Sequence, residues 1–156
     1  MGIEFGTEVQ TVVNIWLLIG GRNTHKTSTV RALTGVGSKS PAWLMAYGAR
    51  GTLNTYVHPA GLQEMKVPPE RFIDDVEASG SCCAIAALRY EGARECPDAE
   101  AYLEKFRKAK WNIAGYAVLE RSPLFRGFPG GIVIPDAKDT PSNEIANQLR
   151  RRWRII

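Results

Sequence analysis

The chain has little of what marks several protein classes. It has three cysteines, two of them adjacent (Cys82 and Cys83). Neighbours on an extended strand point to opposite faces, and an odd count leaves one thiol over. A disulfide framework is therefore excluded, and a reducing compartment, the cytoplasm, is expected. Histidines are as scarce: His25 and His58 are the only two, and with Cys96 they show no zinc-type spacing. The apolar run at 12–19 is too short to span a bilayer. No basic segment precedes it, so no signal peptide and no membrane partner are expected. Met-Gly opens the sequence, but Gly6 stands where the myristoylation pattern has Ser or Thr. There is no internal repeat and no low-complexity tract. Charge of one sign is not in large excess. The net charge of +4 suits a phosphate-bearing partner without requiring one.

What is present is the composition of an ordinary folded domain. The 156 residues are 44% apolar and 23% charged, enough to bury one α/β core. Residues 1–9 read as a loose lead-in to a single domain covering 1–156. Residues 12–19 are apolar with little alternation, as in a strand buried on both faces. A helix follows from Lys26 to Thr34, with Gly35 in the left-handed closing position. Segments 42–49 and 52–58 flank Arg50-Gly51, as a hairpin or as a strand with an extended edge. Pro68-Pro69 opens a helix with Phe72, Ile73 and Val76 on one face, and Gly80 ends it. A second buried strand spans 81–88. An amphipathic helix at 97–109 puts Ala99, Tyr102, Leu103 and Phe106 at helical spacing. Strands follow at 112–119 and 132–134, separated by a loop rich in Gly and Pro that carries Arg121 and Arg126. Thr140 and Pro141 are placed to start the last helix as N-cap and first residue. Its apolar stripe is Ile145, Leu149, Trp153 and Ile156, with Arg150, Arg151, Arg152 and Arg154 on the other faces. Buried strands alternating with amphipathic helices imply an α/β fold: three α/β/α layers around a mostly parallel sheet.

The stretch IWLLIGGRNTHKTSTVRALT stands out within this pattern. Gly20-x-x-x-x-His25-Lys26-Thr27 is the pattern G-x-x-x-x-G-K-[ST] with His in place of the second Gly, between a buried strand and a helix. Over these twenty or so residues the chain resembles the P-loop NTPase and kinase superfamily. The resemblance implies that Gly20, Gly21, Arg22, Asn23, Thr24, His25, Lys26, Thr27 and Ser28 cradle the phosphates of ATP or GTP. Backbone N–H groups and the helix N-terminus would meet the phosphate oxygens. Lys26 would reach the β- and γ-phosphates, and the Thr27 hydroxyl would ligate Mg²⁺. His25 departs from the pattern, because only Gly brings the backbone close without a Cβ. If the position needs a positive φ, His is among the better-tolerated residues.

STVRALTG resembles the helix after the P-loop in several GTPases. Neither D-x-x-G nor N-K-x-D occurs, so ATP is expected over GTP. The strand at 81–88 lacks the acidic residue that usually ends such a strand, and Glu91 is the nearest. Asp136, just past the last strand, is the best remaining acid, to hold a water on Mg²⁺, accept a proton or begin a turn. Arg126 is placed to close over a transferring phosphoryl group. Asp74 and Asp75 diverge by about 100° on a helix and read as a solvated face. Arg50, Asn54, Tyr56 and His58 fall in the region that in P-loop kinases usually handles the acceptor, and are expected first as ordinary outward-facing strand residues.

The expected function is a small kinase-like phosphotransferase or NTPase that acts on an acceptor the sequence does not name. The other reading is a phosphate- or nucleic-acid-binding module that uses the arginines of the last helix with Trp153.

Overall fold

The computed structural model describes residues 12–21, 24–36, 42–48, 51–120 and 131–153, with the backbone alone for 42–48 and 51–53. In chain order the elements are β1 (Asn14–Gly20), α1 (Lys26–Thr34), β2 (Ala42–Gly48), β3 (Gly51–Gly61), α2 (Pro69–Ser79) and β4 (Cys83–Arg89). They continue with α3 (Ala99–Lys108), β5 (Asn112–Leu119), β6 (Ile132–Ile134), a 3₁₀ turn (Ala137–Asp139) and α4 (Ser142–Trp153). The strands form one sheet in the order β2-β3-β4-β1-β5-β6. β1, β3, β4, β5 and β6 run parallel to one another, and β2 pairs antiparallel with β3 at one edge. The expected α/β architecture is present, with the hairpin closing its edge.

Strand alternation divides the apolar residues between two cores. Ile15, Leu17 and Ile19 of β1 face one side with Ala84, Ala86 and Leu88 of β4, and Phe72, Val76, Leu103 and Phe106 of α2 and α3 cover them. Leu18 faces the other side with Ile85 and Ala87, under Val30 and Leu33 of α1 and Ile145 and Leu149 of α4. Helices on both faces make the sheet interior dry. That is why its central strands read as continuous apolar runs.

Three local expectations are corrected. Tyr56 and His58 are buried, at 7% and 2% exposure, because α2 covers that face of β3; Asn54 is exposed as expected, and Arg50 lies outside the described residues. β3 continues past His58 to Gly61, with a register shift against β4 between those two residues. Pro59 lies in the shift and has no N–H to give the ladder. Thr140 does not cap α4: its hydroxyl donates to the Asp136 carbonyl at 2.7 Å, and α4 begins at Ser142.

After β1 the chain crosses through α1 to the edge strand β2 and returns in β3, and after β4 it crosses back over β1 to β5. Ligands of doubly wound sheets bind beyond the carboxyl ends of the strands at such a reversal. The loop between β1 and α1 sits there.

Candidate functional site

The loop turns tightly because β1 ends in Gly20. A Cβ on Gly20 would lie 2.5 Å from the Thr24 Oγ1 and 3.1 Å from Leu119. The bare glycine lets Thr24 fold back and donate its hydroxyl hydrogen to the Gly21 carbonyl at 2.8 Å. The same carbonyl accepts from Lys26 Nζ at 2.9 Å. Arg22 and Asn23 lie outside the described residues.

His25 is the N-cap of α1 in the left-handed conformation, with φ 64° and ψ 28°. The position has the positive φ that a glycine would supply, and His fills it. Its carbonyl accepts the first helical bond, from Thr29 N at 2.8 Å. Its Nε2 donates to the Lys138 carbonyl at 3.1 Å, tying the loop to the 3₁₀ turn after β6. By helix geometry the amides of Lys26, Thr27 and Ser28 have no partner inside α1. No acidic side chain occupies the first turn to offset the positive end of the helix.

These residues line a cavity of about 580 Å³, with Thr27 and Ser28 on its wall beside Lys26. Lys26 is only 6% exposed. Burial lowers its pKa, and the Arg89 charge adds to this; Glu64, with a carboxylate oxygen 3.7 Å from Nζ, opposes both. A cation held from water with two modest partners is ready to exchange them for stronger anionic ones.

Glu64, Arg89 and Arg94 complete the lining. Glu64 comes from the turn after β3, where Gly61 leaves room: a Cβ there would lie 3.0 Å from the Glu64 carboxylate. Glu64 is thus brought to Lys26 from the turn after β3, far from it in sequence, and no local spacing marks it. Glu91 is exposed and lines no part of the cavity. Asp136, the other expected acid, is exposed at the start of the 3₁₀ turn and is not among the lining residues. Arg126 lies outside the described residues. Tyr90, just past β4, ties that strand end to the end of β5. Its hydroxyl donates toward the carbonyls of Leu119, at 2.8 Å, and Glu120, and burial pushes its pKa up to about 12.

Among the described residues no group of three or more His, Cys, Asp or Glu side chains is placed to hold a metal ion. No described helix is long and apolar enough to cross a membrane. On α4, Trp153 packs on the second core above Gly115, where a Cβ would come within 2.7 Å of its indole nitrogen. Arg151 and Arg152 are exposed, but Arg150 donates to the carbonyls of Ala32 and, at 3.3 Å, Leu33.

Compared with known proteins, the chain matches no family model, none of the curated proteins and no solved structure.

Proposed function

We propose that residues 20–27 bind the phosphates of a nucleoside triphosphate, ATP in preference to GTP, and that the protein is a small kinase-like phosphotransferase or NTPase. One observation carries the reading. Buried Lys26 lines one cavity with Thr27 and Ser28 of the first turn of α1, the helix that follows β1. That combination of fixed positive charge and N–H groups without helical partners suits a phosphate chain.

On this reading Lys26 leaves the Gly21 carbonyl and Glu64 for the phosphate oxygens, and the amides of Lys26, Thr27 and Ser28 complete the cradle. Phosphoryl transfer needs positioning and charge neutralisation above all, and the loop supplies both. Mg²⁺ fits the donor set. Thr27, with its hydroxyl, and Glu64, with its carboxylate, line the same cavity, and this ion usually takes one or two protein oxygens, with water and phosphate for the rest. The ion would neutralise charge on the transferring group. Three free thiols among the described residues favour a cytoplasmic location.

A thermal-shift panel of nucleotides, with and without Mg²⁺, tests the reading. A ligand of the folded state raises Tm by mass action. ATP should raise it in the parent, and Lys26→Ala should abolish the rise while keeping a cooperative apo transition. An unchanged rise in Lys26→Ala refutes the phosphate cradle.

A further inference from the structure

Two arginines share the cavity, and the nucleotide reading does not use them. Arg89 ends β4 and is half-buried; Arg94 follows it in the chain and is exposed. Of the lining residues Glu64 alone is acidic, and it sits on Lys26. Among the described residues neither arginine makes an ion pair. Two arginines without an ion-pair partner among the described residues therefore line the cavity.

Both positions are built. Gln63 is fully buried, and its side-chain amide spans the end of β4. Nε2 donates to the Arg89 carbonyl and Oε1 accepts from the Arg89 N–H, each at 3.0 Å. Nε2 also reaches the Pro97 carbonyl at 3.4 Å, ahead of α3. Arg94 lies in a turn closed by reciprocal backbone bonds between Ala93 and Cys96, at 3.1 and 2.9 Å. Arg94 and Glu95 are both left-handed, with φ 50° and φ 71°. Two consecutive non-glycine residues in that region are costly, and such strain gathers at ligand clamps.

The charge and its geometry select the ligand. A triphosphate on the loop engages Lys26 and the α1 amides, which leaves two guanidinium groups beside it. A phosphate monoester carries nearly two negative charges near neutral pH and presents three acceptor oxygens, which planar guanidinium forks match. Resting on the nucleotide reading, we propose that Arg89 and Arg94 form a second anion site beside the phosphate loop. It holds the phosphate of a phosphomonoester co-substrate, so the acceptor is itself a phosphorylated small molecule.

Titration calorimetry on the full chain tests this. Nucleoside monophosphates, a sugar phosphate and inorganic phosphate are titrated into the parent saturated with a non-hydrolysable ATP analogue, then into Arg89→Ala/Arg94→Ala. At least one monoester should bind the nucleotide-loaded parent. The double variant should lose that affinity by at least about tenfold, as loss of charge-assisted hydrogen bonds requires, and keep its nucleotide affinity. Arg89→Lys/Arg94→Lys, which keeps the charge but not the forks, should fall between them, and the unfolding transition of each variant reports its fold. Loss of nucleotide affinity in the double variant, with the fold intact, overturns the proposal and assigns the arginines to the triphosphate. A parent that binds none of the panel overturns it too. Monoester binding without any nucleotide binding would keep the arginine site and discard the P-loop reading, so the two failures are distinguishable.

Discussion

His25 shows how one side chain sets the character of the loop. A left-handed conformation costs a residue with a Cβ roughly 1–2 kcal/mol. The imidazole offsets part of this through its bond to the Lys138 carbonyl, an exposed hydrogen bond worth about 1 kcal/mol. His25→Gly removes both the strain and the bond. Its apo Tm should therefore shift by less than about 4 °C, while nucleotide affinity is equal or higher, because no Cβ then stands beside the phosphates. Calorimetric unfolding and nucleotide titration check the two halves. A loss of turnover with affinity and fold intact would give the imidazole a chemical role instead. Lys26 shows a second tension at this scale. Its lowered pKa means that folding disfavours its charge, a stability cost commonly found where a group serves binding.

At the scale of elements, α1 depends on α4. A nine-residue helix is too short to persist alone in water, and its last carbonyls have no partners within it. Arg150 reaches across from α4 to two of them, at Ala32 and Leu33, placing a cation at the negative end of the helix that carries Lys26 and Thr27. Arg150→Ala should lower unfolding free energy by about 1–3 kcal/mol. Arg151→Ala and Arg152→Ala, both at exposed positions, should stay within about 0.5 kcal/mol of the parent. Urea midpoints distinguish the three, and equal midpoints for Arg150→Ala and Arg151→Ala would remove the clamp. The sequence led to a different expectation, with Arg150 at the surface, because spacing along α4 says nothing of the α1 end it meets. The same limit explains the other misses. Apolar runs and Gly or Pro boundaries made β1, α1, β4, α3 and β5 legible, because burial on both sheet faces writes itself into composition. His25 was legible as a position that could need positive φ. Glu64, Gln63 and Arg94 reach the site through tertiary approach, and no local spacing marks them.

For the whole molecule, the sheet is a wall between two cores, and one of them encloses a titratable group. Phe72 lies against Tyr56, Phe106, Trp111 and His58, with ring centroids 5.9, 5.9, 6.0 and 6.2 Å away. The His58 Nδ1 donates to the Ala60 carbonyl at 2.8 Å, and burial drives its pKa below the ordinary 6.5, while that bond and the Asp75 charge oppose the change. The sign of the pH dependence follows. Well above pH 6.5 the ring is neutral in both folded and unfolded chains and contributes no slope. As pH falls below that value the unfolded imidazole takes a proton that the folded one resists. Stability then drops, with a slope approaching about 1.4 kcal/mol per pH unit, until the lowered folded pKa is reached. His58→Gln removes this titration and keeps a donor for the Ala60 carbonyl. Unfolding free energies measured from about pH 7.5 to 5.5, above the range where carboxylates dominate, should fall with acid in the parent and stay nearly level in the variant. Parallel losses in the two proteins would mean that His58 is not held neutral, and that the core on the α2 and α3 side admits a proton as readily as water does.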